Sequence, residues 1–167
     1  MKISESEFAS FGKLLVKIQF FEVILKMYIS LLNSDIKKRN PSIKNLNGRD
    51  ILDDSIAGKK HTLGMLMQVI KKEMPFFDNN EFSRLLDMRN TFAHNFHKEY
   101  LSVDKVSESN YMEFINELWV LTDKYTEIFT GLMEMANRKA NGESSDLSVL
   151  KGLGKSELSV IQYFIDQ

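Results

Sequence analysis

Apolar side chains recur at a 3.6-residue period along most of this chain, and proline interrupts the pattern only at Pro41 and Pro75. Proline removes a backbone donor and clashes inside a helix, so two prolines in 167 residues leave long stretches free to coil. The strict apolar–polar alternation of half-buried strands is missing. The expected fold is therefore all-α: an up-and-down bundle with two long helices, a motif-bearing helix and shorter helices.

The helix ends can be placed from capping chemistry. Ser4 and Glu7 form a capping-box pattern, and Phe8, Phe11, Leu15, Ile18, Phe21, Leu25, Tyr28 and Leu32 continue one stripe to an expected end near Asn33. Residues 33–48, with Pro41 and Gly48, read as loop, and Asp50 to Ala57 as a short helix stopped by Gly58. Thr62 is the expected N-cap of a helix running to about Glu73, which Pro75 closes. Asp78, Asn79 or Asn80 then caps a helix through about His97. A second long helix begins near Ser107 or Ser109, carries Phe114, Ile115, Leu118, Trp119, Leu121, Tyr125, Ile128, Phe129, Leu132 and Met133, and ends before Gly142. A short amphipathic helix from Ser156 to about Ile165 finishes the sequence. The only linker-like stretch, 142–146, lies too near the end to mark a second domain, so residues 1–167 are expected to form a single α-helical domain.

Composition removes several classes of function. With 43% hydrophobic and 27% charged residues the chain can bury a proper core. It has no cysteine, which rules out disulfides and thiolate metal sites. The acidic N-terminal segment does not read as a signal peptide, and no apolar run approaches the ~20 residues that span a bilayer, so a soluble cytoplasmic protein with no membrane partner is expected. A formal charge of −1 provides no general field for nucleic acid, so any RNA contact must come from a local patch or from patches summed over a dimer. Basic recognition-helix patterns of transcriptional regulators are not evident. Asp53-Asp54 reads as a solvated helix-end feature.

Chemistry concentrates at Arg89-Asn90-Thr91-Phe92-Ala93-His94, which sets a fixed cation, an amide and a near-neutral titrating group within about two helical turns. At about 100° per residue, Arg89 falls inside an apolar stripe of Phe82, Leu85, Leu86, Phe92, Ala93 and Phe96. A permanent charge there must be paired or held for a ligand. Asn90, His94 and His97 share the neighbouring flank. His94 and His97 form a His-x-x-His pair without the acidic or cysteine companions of a metal site, so neither a metal nor any other cofactor is expected.

The segment Leu86-Asp87-Met88-Arg89-Asn90-Thr91-Phe92-Ala93-His94-Asn95-Phe96 resembles the signature of the HEPN superfamily: Arg, a polar residue, three more residues, then His, on a late helix of a bundle. Thr62-Leu63-Gly64-Met65-Leu66 is similar to a helix start in some members. The resemblance implies a metal-independent endoribonuclease, often a toxin or abortive-infection effector in antiviral defence, acting as a homodimer with the two motifs facing each other. It implies Arg89, Asn90 and His94 as catalytic residues, RNA as substrate, and an antitoxin or regulatory protein as a further partner. His97, Lys98, Lys59 and Lys60 are the cations expected to guide RNA. In some relatives a tyrosine two residues after the motif His receives an inactivating nucleotide; here that position is Phe96, with Tyr100 one turn on. The superfamily also includes binding and assembly modules, so a non-catalytic helical dimerisation or regulatory module is the alternative.

Overall fold

A computed structural model describes residues 4–32, 34–44, 62–101, 108–143 and 158. The described chain is an all-α bundle built from α1 (Glu5–Leu31), α2 (Ser34–Arg39), α3 (Leu63–Glu73), α4 (Asn80–Asn90), α5 (Phe96–Tyr100) and α6 (Glu108–Ala140). Short 3-10 turns occupy Pro41–Ile43 and Pro75–Phe77, and a π-helical turn, Thr91–Asn95, joins α4 to α5.

The expected caps form. Ser4 accepts from the Glu7 amide while the Glu7 side chain accepts from the Ser4 amide, closing the capping box of α1. Thr62 accepts from the Met65 amide at the start of α3, and Asn79 Oδ1 accepts from the Phe82 amide at 2.8 Å at the start of α4. Removing the Asn79 cap leaves an amide of the first turn without its partner. Asn79→Ala should lower stability by about 1 kcal/mol, read as a shift of the urea midpoint at unchanged slope. Helix α6 stops at Ala140, two residues before Gly142 turns the chain at φ 73°.

Two expectations change. Residues 34–43 are not loop: α2 and the first 3-10 turn lie there, held by a polar network. The buried Asn40 amide donates to Glu73 Oε1 at 2.7 Å and to the Ile36 carbonyl at 2.8 Å, while Arg39 pairs with Glu73 at 2.8 Å. Glu73 lies more than 30 residues from Arg39 and Asn40 in sequence, and a six-residue helix carries too few turns for an apolar period to register. The helix expected to end near His97 runs on to Tyr100, with the π turn inside it. The helices expected at 50–57 and 156–165 lie outside the described residues, apart from the helical Leu158.

Glu73 also makes the fold acid-sensitive. Burial raises its carboxyl, but the Asn40 and Arg39 hydrogen bonds and the nearby cationic charge outweigh this and hold it below the usual value. A lowered folded-state pKa gives stability that is full above the unfolded value of about 4.5 and is lost as pH falls through the lowered one. Urea midpoints should therefore fall between pH 5 and pH 3, and less so in Glu73→Gln.

The order of contacts fixes the helix directions. Glu7 meets Tyr111, Lys17 meets Asp123 and Phe21 meets Phe129, so α1 and α6 run parallel along each other. The motif segment runs the other way: Arg84 pairs with Glu117 while Tyr100 packs on Phe114, and Arg89 meets Glu22 while Phe96 packs on Phe11. It is thus antiparallel to both long helices.

Aromatic clusters clamp the motif segment at its two ends. Phe77 stacks on Phe129 at 4.9 Å, and Phe82 packs on Tyr125 at 4.8 Å, securing the start of α4. At the far end Phe96 lies 5.4 Å from Phe11 and 5.6 Å from Phe114, and Tyr100 lies 4.7 Å from Phe114. Phe82, Leu85, Met88 and Phe96 are buried in the core these clusters share.

Candidate functional site

The π turn falls inside the motif, between the two clamps. In an α-helix the five-residue step from Arg89 to His94 rotates about 140° around the axis. A turn that bonds residue i to i+5 widens the coil and shrinks that rotation, drawing His94 toward the Arg89 side. Such turns occur frequently at functional sites.

Arg89 does not stand free. Its Nε and Nη2 donate to Glu22 Oε1 on α1, at 3.1 and 2.5 Å, and its Nη1 donates to Asn90 Oδ1 at 3.2 Å. The carboxylate neutralises the charge that the apolar surroundings would otherwise penalise. Glu22 is the residue the sequence reading missed. Its signal was faint: an acid at the edge of the long apolar stripe, one turn beyond Ile18.

Asn90 is exposed, and its carbonyl oxygen serves Arg89, whereas the imidazole or a phosphate was expected. His94 is exposed on the π turn and makes no hydrogen bond or ion pair among the described residues. The small, exposed Ala93 beside it leaves the approach open. His97 and Lys98 are exposed on α5. Lys59 and Lys60 lie outside the described residues. Phe96 is buried and belongs to the core. Burial raises the Tyr100 hydroxyl above its ordinary pKa, with the Glu99 charge adding to the effect.

The site is therefore a partly neutralised arginine, an amide that it orients and an unengaged imidazole, on one helical segment at the surface. A separate shallow cavity of 510 Å³ on this segment is lined by Arg84, Asp87, Thr91 and Tyr100 and contains none of the three motif residues. Arg84 is engaged there through Nε and Nη2 by a forked pair with Glu117. Among the described residues no three His, Cys, Asp or Glu side chains group as a metal site, and no helix is long and apolar enough to cross a membrane.

The Glu22–Arg89 pair keeps side-chain exposures of 21% and 23%. Solvent thus screens part of the attraction and part of the desolvation penalty, placing the pair between surface and fully buried cases. Arg89→Ala should cost about 1–2 kcal/mol in urea denaturation, below the roughly 3–5 kcal/mol expected when a fully buried pair is broken.

Comparisons of the chain with protein-family models, with curated proteins and with solved structures give no match.

Proposed function

We propose that the protein is a metal-independent endoribonuclease, a toxin or defence effector of the HEPN type, acting as a homodimer. The observation that carries this reading is the exposed, unengaged His94 on a π turn one to two turns beyond a hydrogen-bonded Arg89–Asn90 pair. The motif spacing given above supports it.

Cleavage through the ribose 2′-hydroxyl needs a base to take the hydroxyl proton as the oxygen attacks phosphorus. It also needs an acid to protonate the departing 5′-oxygen. Donors must stabilise the negative charge that builds on the phosphoryl oxygens. One chain supplies one such acid–base group, His94. Two copies about a two-fold axis supply both, together with two arginines. In this reading Arg89 carries the phosphate through its forked donors, and Glu22 holds the guanidinium in place until substrate competes for it.

Purified protein should cut single-stranded RNA in excess EDTA, leave 2′,3′-cyclic phosphate or 3′-phosphate ends and spare DNA. Cleavage that needs added magnesium would sink this mechanism. Glu22→Gln removes the competing charge while keeping a hydrogen-bond acceptor, so RNA should bind several-fold more tightly, measured by fluorescence anisotropy.

The Glu22–Arg89 pair also favours a second reading, in which the arginine is structural and the chain is a helical dimerisation or regulatory module. RNA affinity unmoved by Glu22→Gln, together with absence of cleavage, would select it.

A further inference from the structure

Helix α1 carries apolar side chains on two opposite sides, separated by flanks that hold Lys13 and Lys17 on one edge and Gln19, Glu22 and Lys26 on the other, and only one apolar side is covered among the described residues. At about 100° per residue, Leu14, Ile18, Phe21 and Leu25 face the core. The opposite side carries Phe8, Val16, Phe20, Val23, Met27 and Leu31, with Val16 exposed to 64%, Phe8 to 60% and Phe20 to 55%. A surface helix ordinarily has one apolar stripe and a polar face opposite it, so a second apolar stripe calls for a second packing partner. With large apolar side chains presenting roughly 150–250 Å² each when fully exposed, this face offers roughly 600 Å² of apolar surface. That is the upper end for a lone monomer and most of the ~800 Å² per partner of a standard interface.

Gly12 is the second observation. It sits within the 27-residue helix, and a Cβ added there would meet nothing within 4 Å. Glycine inside a helix costs about 1 kcal/mol relative to alanine, and no neighbour among the described residues accounts for it. Gly12 lies on the outward side, between Phe8 and Val16, where it lets another backbone approach closely.

We propose that this face of α1 is a dimer interface that packs antiparallel against α1 of a second copy of the chain. The gradient of side-chain size favours that partner and direction. Ala9 and Gly12 are small, whereas Phe20 and Met27 in the other half are large; Val16 and Val23 are equal, and Phe8 lies before the first matched position, Ala9. An antiparallel pair with its two-fold axis near Ile18 sets each small half against the large half of the partner, so one surface complements itself, as an isologous interface requires. Glu22, which holds Arg89, flanks this face four residues from that axis, so both motif sites lie along the same side of the seam. The choice of a second copy rests partly on the ribonuclease reading, which requires a second His94.

The surplus apolar surface lies on α1 and not on the motif helix, where Phe82, Leu85, Met88 and Phe96 are buried.

Light scattering on the parent at tens of micromolar should give twice the 19.4 kDa chain mass. Val16→Glu and Gly12→Leu should each weaken the dimer at least 100-fold while keeping the parent's helical circular dichroism, because neither position is covered among the described residues. Val120→Glu, at an equally exposed apolar site on α6, should remain dimeric. The chain has no cysteine, so disulfide trapping is clean. Ala9→Cys mixed with Met27→Cys should cross-link to each other and not to themselves. A monomeric parent, a dimer that withstands both α1 substitutions, or homodisulfides from the single variants would overturn the proposal. A dimer that behaves as expected but never cuts RNA would remove the ribonuclease reading alone.

Discussion

His94→Ala is expected to abolish RNA cleavage while leaving the fold intact. The side chain is exposed and makes no hydrogen bond or ion pair among the described residues, so its removal opens no cavity and strands no buried partner. Loss of a general acid–base group typically slows a reaction by about 10²–10⁴-fold. In a composite site both copies are lost at once, which places the expected effect at the upper end of that range. Single-turnover cleavage in EDTA measures it, and the thermal midpoint should stay within about 2 °C of the parent, given that surface substitutions usually lie within ±0.5 kcal/mol. A His94→Ala protein that cuts at the parental rate would end the catalytic assignment of this motif.

The largest stability effect is expected at Phe77. Its ring is fully buried in the 3-10 turn that leads into α4, stacked on Phe129 and 5.5 Å from Phe82. Phe77→Ala removes this contact from both the long helix and the motif helix and leaves a cavity that close-packed neighbours fill only in part. A loss of about 3–5 kcal/mol is expected in urea denaturation, a large fraction of the 5–15 kcal/mol that holds a typical domain. Phe77→Leu, which keeps most of the volume, should recover more than half of that loss. Equal losses for the two variants would show that the ring's specific stacking, and not its volume, secures the start of α4.

Local chemistry in the sequence determined the helical class, most helix ends and the motif's position on a helix. Ser4 with Glu7, Thr62 and Asn79 are capping signals whose partners lie three residues away, and the periodic apolar stripes of α1 and α6 need no knowledge of the fold. Only the tertiary structure decided what those stripes face. Phe8 and Leu15 belong to the first-helix stripe by spacing yet stand exposed, because α6 covers a single side of α1. The partner of Arg89 is 67 residues away at Glu22 and that of Asn40 is 33 residues away at Glu73, pairings set by which helices lie side by side. The parallel course of α1 and α6, and the π turn between two aromatic clamps, have the same origin: sequence periodicity carries the rotation of a residue about its own helix, whereas packing between helices sets direction, register and the charge environment of the site.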